Sequence, residues 1–123
     1  MAFGERGTIT VLLVEDAPET RELLTEILEL HGLRVLATGS VAEALTVAGR
    51  AGTIDLLVTD LHLPDGNGPQ IAQNLGRQRP EMRSLFLSGD LPPQLGAGQS
   101  YLRKPARIAS ILGEIRGLLD HSA

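Results

Sequence analysis

The sequence predicts an α/β domain built on a doubly wound, five-stranded parallel sheet. Short apolar runs alternate along the chain with segments of helical periodicity, and the connections between them are short. The run from Ile54 to Val58 is largely apolar and is bounded by turn residues, as in a strand buried on both faces. With 123 residues and no internal repeat, the chain fits one such domain with right-handed crossovers.

The first strand and the first helix occupy residues 8–32. Thr8 to Val14 is β-branched and aliphatic, which favours a buried strand, and it ends at the acidic pair Glu15-Asp16. Pro18 suits the first position of a helix. Acidic residues near the positive end of this helix and apolar residues at helical spacing extend it to Gly32, which stops it.

The second strand is predicted from Leu33 to Thr38. Ser40 and Glu43 then have the spacing of a capping box, in which the two side chains satisfy free backbone N–H groups at the start of a helix. We therefore expect the second helix from about Val41 to Arg50.

The central strand ends at Asp60 and leads into a loop. The residues that favour this loop are Pro64, Gly66, Asn67 and Gly68. A third helix is expected from about residue 69 to residue 79, because Pro80 cannot continue it. The fourth strand is then predicted from Ser84 to Leu87.

The last part of the chain predicts a fifth strand and a final helix. Residues 91–99 hold two prolines and two glycines, so we expect a loop or at most one helical turn there, in place of a full fourth helix. Ser100 to Arg103 is the fifth strand, ending at Lys104-Pro105. An apolar stripe marks the final helix at Ile108, Ile111, Leu112, Ile115 and Leu119. Residues 1–7 suggest a flexible leader or a junction remnant, and residues 8–121 the domain itself.

The composition argues against several classes of function. The net charge is -4 and only three residues are aromatic, so the chain lacks the basic stripe and the stacking platform that direct nucleic-acid binding needs. No apolar run is long enough to insert in a membrane. Cysteine is absent, and the first residues resemble neither a signal peptide nor a transit peptide, so a cytoplasmic location is expected.

Acidic residues follow two strands that should be neighbours. The common flavodoxin-like order of a doubly wound sheet is 2-1-3-4-5, which brings Glu15, Asp16 and Asp60 to one crevice at the carboxyl ends of the strands. Three close carboxylates favour either protonation of one of them or recruitment of a cation, and an oxygen-rich, cysteine-free site suits Mg²⁺. Ser88 and Lys104 end the fourth and fifth strands at the same rim. A metal ion, an ammonium and a hydroxyl together suit phosphoryl transfer, with Asp60 as the nucleophile.

Each of these residues has a simpler interpretation when it is taken alone. Asp60 could merely end a strand, the acidic pair could decorate a helix start, Ser88 could be a turn residue and Lys104 a solvated charge. His62 is most simply a loop residue, and its side chain is not read as a phosphodonor or a metal ligand. The joint placement at the ends of strands one, three, four and five favours the site.

At these motifs the sequence resembles the receiver domain of two-component signalling, also called the response regulator domain. The resemblance extends from Thr10 to about Leu119. The segments that carry it are Val11-Leu12-Leu13-Val14-Glu15-Asp16, the loop from Asp60 to Gly68, Leu85-Phe86-Leu87-Ser88-Gly89 and Tyr101-Leu102-Arg103-Lys104-Pro105.

The resemblance implies that Asp60 accepts a phosphoryl group from a histidine of a sensor kinase or a histidine phosphotransfer protein. It further implies that Mg²⁺ is held by Glu15, Asp16, Asp60 and the main-chain carbonyl of His62. Ser88 and Lys104 would engage the phosphoryl oxygens, and Tyr101 would change rotamer on phosphorylation. A cis bond between Lys104 and Pro105 is also implied.

Three departures from the family pattern affect what we expect of the output. Ala17 replaces a common acidic or amide residue, Ala106 replaces a common aromatic one, and the segment between Ser88 and Lys104 looks shortened. We also expect no attached DNA-binding or enzymatic output domain. The first setting we favour is therefore the C-terminal receiver of a hybrid sensor histidine kinase, or a phosphorelay intermediate; the second is a stand-alone regulator, with a homodimer left open.

Two other classes of function stay open at this point. One is a protein-interaction module of receiver fold that is never phosphorylated, against which the intact set of site residues argues. The other is a Mg²⁺-dependent phosphatase with an aspartate nucleophile. Many such enzymes have a second Asp two positions after the nucleophile, where this chain has His62, and little sequence remains for a substrate-covering cap.

Overall fold

A computed structural model describes residues 8–90 and 92–120. The predicted leader, residues 1–7, lies outside the described residues. None of the helices in the described ranges is long and apolar enough to cross a membrane.

Five parallel strands form the sheet, as the sequence predicts. In chain order they are β1 (Thr10–Val14), β2 (Arg34–Thr38), β3 (Leu56–Asp60), β6 (Arg83–Ser88) and β7 (Gln99–Arg103). Between β3 and β6 the chain adds a short antiparallel ribbon of β4 (His62–Leu63) and β5 (Gly66–Asn67), where the sequence predicted only a loop. The spatial order β2-β1-β3-β6-β7 is the predicted doubly wound arrangement, counted without the ribbon.

Helices cover both faces of the sheet. The described helices are α1 (Pro18–Leu30), α2 (Val41–Arg50), α3 (Gly68–Gly76) and α4 (Ile108–Asp120). Alternate residues of β1 point to opposite faces, so that Val11 and Leu13 pack with α1 and α4, whereas Leu12 and Val14 pack with α2 and α3. Each face thus has its own apolar core, and β1, β3 and β6 are buried on both sides.

Local sequence explains where α1 and α2 begin and end. Pro18 is the first residue of α1, and Gly32 follows the helix with a φ of 86°, a left-handed conformation that glycine adopts without strain. At the start of α2 the hydroxyl of Ser40 accepts the N–H of Glu43 at 3.1 Å. The Glu43 carboxylate reaches back to the N–H of Gly39 at 2.6 Å, one residue before the predicted partner.

Both ends of α2 are also held by side chains from the crossover that joins β3 to β6. Asp65 accepts the first two N–H groups of the helix. Arg79 donates to the carbonyl of Ala48 in its last turn at 2.9 Å. The negative charge of Asp65 lies at the positive end of the helix dipole, and the positive charge of Arg79 lies at its negative end. The chain therefore leaves α3 at Gly76 and turns to present Arg79 to α2, so the helix ends before the predicted residue 79.

The connection from β6 to β7 differs from a full helical crossover, as predicted. Residues 92–98 contain no helix. Gly98 closes the connection with a φ of 73°, and its carbonyl accepts the N–H of Ser84 at 3.0 Å. The peptide bond between Lys104 and Pro105 is cis. Further along, Ile108 is 44% exposed, so the apolar face of α4 that packs in the core starts at Ile111.

Candidate functional site

Asp60 lies at the carboxyl end of the central strand and is nearly inaccessible to solvent, with 4% of its surface exposed. Its Oδ1 lies 2.6 Å from Nζ of Lys104. Its Oδ2 accepts the backbone N–H of Asp16 at 3.4 Å. The three residues come from the ends of β3, β7 and β1, which the sheet order brings to one edge. The sequence-predicted acceptor and its cationic partner are therefore in direct contact.

Glu15 completes an ionic cluster around the half-buried Lys104. Its Oε1 lies 3.2 Å from the ammonium, and its Oε2 accepts the N–H of Ala17 at 3.0 Å. Glu15 is 2% exposed, whereas Asp16 is an exposed residue. One ammonium thus faces two buried carboxylates, which leaves excess negative charge in the cluster.

The cluster perturbs the pKa values of its members. Burial, together with the hydrogen bond and charge of Glu15, raises the pKa of Asp60 from 3.8 to about 7, although Lys104 opposes the change. Burial also tends to raise the pKa of Glu15. Hydrogen bonds with Asp60 and with the Ala17 N–H, together with the charge of Lys104, outweigh burial and lower this pKa below its ordinary value. For Lys104, contact with the two carboxylates outweighs burial and raises the pKa.

The same carboxylates fit a divalent cation. One oxygen from each of Glu15, Asp16 and Asp60 lies within 4.8 Å of the other two. The donors are all oxygen, which suits a hard ion such as Mg²⁺ better than a thiophilic metal. A dication there would offset the charge that Lys104 alone leaves uncompensated.

Ser88 and Tyr101 organise the opposite rim. The Ser88 hydroxyl accepts the N–H of Asp90 at 3.0 Å, and the Ser88 carbonyl accepts the N–H of Lys104 at 2.8 Å. The Tyr101 hydroxyl donates to the carbonyls of Ser88, at 3.1 Å, and Asp90. Its ring is half-buried against the core on the α2 and α3 side. Ser88 therefore lies at the predicted strand end, with its hydroxyl turned to the next loop.

The His62 imidazole lies on the surface, which agrees with the interpretation of His62 as a residue whose side chain has no part in the site. Its Nε2 lies 2.9 Å from the Asp90 carboxylate, and both side chains are more than half exposed. The pair joins β4 of the ribbon to the loop after β6. The predicted metal contact of His62 involves only its main-chain carbonyl.

Comparison with known proteins identifies the family. The family model of the response regulator receiver domain matches residues 11–116, most of the chain. The chain belongs to the receiver domain family. As a receiver domain it functions in two-component signalling.

Relatives of this receiver domain include both kinases and regulators. The sensor kinase CckA of Brucella abortus (strain 2308) is 28% identical over 93% of this chain and 13% of that protein. The probable transcriptional regulatory protein TcrX of Mycobacterium tuberculosis (strain ATCC 25618 / H37Rv) is 27% identical over 97% of this chain and 53% of that protein. The crystal structure of the receiver domain from the hybrid histidine kinase CckA is 30% identical, with a TM-score of 0.79 over 89% of this chain and 98% of that one. The receiver domain thus spans only part of the curated relatives it matches.

Two residues near the receiver site gain a role that their residue types alone did not indicate. A Cβ at Gly68 would lie 2.6 Å from the main-chain oxygen of Asp60 and 2.7 Å from Cγ2 of Thr59, so this glycine permits the close approach of α3 to β3. Asp65 reads as a turn residue in the sequence, yet its carboxylate bonds to α2. Both depend on tertiary contacts between segments that are separate in the sequence.

Proposed function

We propose that Asp60 is the phosphoacceptor of this receiver domain and that Lys104 and Ser88 engage the phosphoryl oxygens. The observation that supports this best is the 2.6 Å contact between Asp60 Oδ1 and Lys104 Nζ, beside two further carboxylates. Glu15, Asp16, Asp60 and the His62 carbonyl would hold Mg²⁺, which supplies charge neutralisation for the transferring group. Tyr101 would respond to phosphorylation through the carbonyls that its hydroxyl contacts.

The chemistry follows from the position of each group. A carboxylate oxygen of Asp60 attacks the phosphorus of a phosphohistidine, so an O–P bond forms while the N–P bond breaks. The imidazole nitrogen of the donor keeps the electron pair of the broken bond. Lys104 already faces Asp60, so its ammonium is in place to stabilise negative charge on the phosphoryl oxygens. The Ser88 hydroxyl can donate to another of these oxygens after its rotamer changes.

Intact-protein mass tests the proposal. After incubation with acetyl phosphate and MgCl₂ the parent should gain one phosphoryl group, and Asp60→Asn should gain none. Excess chelator should abolish the gain in the parent, because the carboxylates need the cation to accept a dianionic group. A parent that stays unlabelled, under conditions that label a control receiver domain, would favour the interaction module that is never phosphorylated.

We infer that the donor is a histidine-bearing helical domain that docks in a groove beside Asp60. The groove has a volume of about 420 Å³ and is lined mainly by apolar side chains of α1 and of the segment that leads into α4. Glu15 and Lys104 also line it, and Lys104 contacts Asp60, so an occupant would lie next to the partner of the acceptor. Leu23 and Ile108 are exposed at 52% and 44%. The exposed glutamates along α1 favour a partner whose apolar face has basic flanks.

The groove predicts a selective effect of Leu23→Glu. The rate of phosphoryl transfer from a phosphorylated histidine phosphotransfer domain should fall at least tenfold more than the rate with acetyl phosphate, since only the protein donor needs the apolar contact. Leu95→Glu is the matched control, because Leu95 is 42% exposed but is not among the residues that line the groove. Equal losses in the two variants would contradict this docking site.

We also propose that the domain works in the cytoplasm within a hybrid sensor kinase or a phosphorelay. The similarity to a sensor kinase and to the receiver domain of a hybrid kinase supports this setting. The non-helical segment 92–98 supports it too, because a receiver that passes its phosphoryl group onward does not need a full output helix there. Kinase sequence encoded directly upstream would agree with the hybrid kinase, whereas a separate gene for the receiver domain would contradict it.

A further inference from the structure

The tip of the ribbon formed by β4 and β5 is fixed to the start of α2. Asp65, in the turn of the ribbon, accepts the N–H of Val41 through Oδ1 at 2.8 Å and the N–H of Ala42 through Oδ2 at 2.9 Å. These two donors have no partner inside their own helix. The next donor, Glu43, is satisfied by Ser40 instead. One carboxylate thus accepts two hydrogen bonds from donors that lie 24 and 23 residues earlier in the chain.

The root of the ribbon is fixed by different contacts. His62 pairs with Asn67, whose side chain accepts the N–H of Gln70 and so caps α3 at 2.8 Å. The N–H of Gly68 donates to the carbonyl of Leu61 at 2.8 Å. The root therefore depends on β3 and α3, whereas Asp65 is the link from the tip to α2.

We propose that Asp65 is a positioning residue for the Mg²⁺ site, acting through the His62 main-chain carbonyl. The inference rests on the proposed function, which assigns that carbonyl to the ion. Because contacts hold both the tip and the root of the ribbon, the position of the His62 carbonyl is restricted before Mg²⁺ binds. Without Asp65 the ribbon keeps its root and the packing of Leu63 but loses its hydrogen bonds to α2, so binding of Mg²⁺ must restrict a looser ribbon at an entropic cost.

The state of the Asp65 carboxylate agrees with this role. The N–H groups of Ala42 and Val41 lower the pKa of Asp65 below its ordinary value. The group is therefore ionised at neutral pH and accepts from both donors, at the positive end of the α2 dipole. Asparagine at this position keeps one side-chain oxygen as an acceptor but loses the second one and the charge.

Calorimetric titration with MgCl₂ tests the inference on the parent, Asp65→Ala, Asp65→Asn and Ser40→Ala. We expect the dissociation constant for Mg²⁺ to rise at least fivefold in Asp65→Ala and about threefold in Asp65→Asn. Ser40→Ala should stay within twofold of the parent. This control removes an acceptor from the same end of α2 but leaves the ribbon untouched. Thermal unfolding of each variant reports the effect of helix capping on stability, which both positions share.

Phosphorylation by acetyl phosphate gives a second readout. The rate for Asp65→Ala should lag behind the parent at low Mg²⁺ and recover to within twofold at saturating Mg²⁺, because a positioning defect is overcome by more ion. Equal Mg²⁺ affinity in Asp65→Ala and Ser40→Ala would reduce Asp65 to a helix cap and overturn the inference. If Asp65→Ala does not fold, unchanged affinity in Asp65→Asn overturns it. A parent that binds no Mg²⁺ contradicts the proposed function as well, so the parent titration separates the two failures.

Discussion

Gly68→Ala is expected to lower the free energy of unfolding by about 2 kcal/mol, the usual cost of overpacking a rigid site. The added Cβ would meet the main-chain oxygen of Asp60 at 2.6 Å, Cγ2 of Thr59 at 2.7 Å and Cδ1 of Phe86 at 3.1 Å. A carbonyl in the central strand cannot move aside without shifting the residue that bears it. Phosphorylation of Asp60 should therefore slow as well. Chemical denaturation and the rate with acetyl phosphate measure the two effects.

Gly76→Ala is the matched control at the other end of the same helix. A Cβ there meets no atom within 4 Å. Alanine should leave stability unchanged or raise it by about 0.5 kcal/mol, because it restricts the unfolded chain more than glycine does. Equal stability of the Gly68→Ala and Gly76→Ala proteins would contradict the role of Gly68 as a close-approach position.

Asp60→Asn is expected to stabilise the Mg²⁺-free protein at pH 8 by about 2 kcal/mol, a figure that allows for partial screening by solvent. The pKa of Asp60 is raised from 3.8 to about 7 in the fold. Below pH 3.8 the carboxyl is protonated in both the folded and the unfolded states. As the pH rises to about 7, folding increasingly opposes ionisation and the parent loses stability. The advantage of Asp60→Asn should therefore grow between about pH 4 and pH 7 and stay level above.

Urea denaturation across this pH range, with chelator present, measures the effect. Glu15 should contribute little to the change of stability with pH in the upper part of this pH range, because its lowered pKa keeps it ionised in both the folded and the unfolded states there. Addition of Mg²⁺ should reverse the order of stability, since the ion binds the folded parent and meets only a neutral amide oxygen at this position in the variant. A pH-independent difference in the free energy of unfolding between the two proteins would show that the fold does not raise the pKa of Asp60.

Much of the fold and of the site was predictable from local sequence. The apolar runs predicted five strands, and the preference of doubly wound sheets for one strand order was enough to bring Glu15, Asp16 and Asp60 together in one crevice. The prolines and glycines of residues 91–99 likewise predicted that a helix would be missing. These features depend on the identity and spacing of neighbouring residues.

Features that depend on contacts between distant segments were not predictable. The sequence places the end of α3 near Pro80, but Arg79 donates to carbonyls at the end of α2 and the helix stops at Gly76. The attachment of Asp65 to the first N–H groups of α2 is of the same kind. Sequence periodicity reports which face of a helix is apolar, and it holds no information about which charged side chain reaches a helix end from elsewhere.

The contacts of Tyr101 bear on how this receiver domain can change during evolution. Its hydroxyl bonds to the main-chain carbonyls of Ser88 and Asp90, and the side chains of those residues take no part in the contact. Substitutions in the loop after β6 can therefore accumulate without breaking it, provided that the path of the chain is kept. The Tyr101 contact depends on the path of the backbone and not on which side chains the loop carries, so the chemistry of the rim can change while this contact is kept.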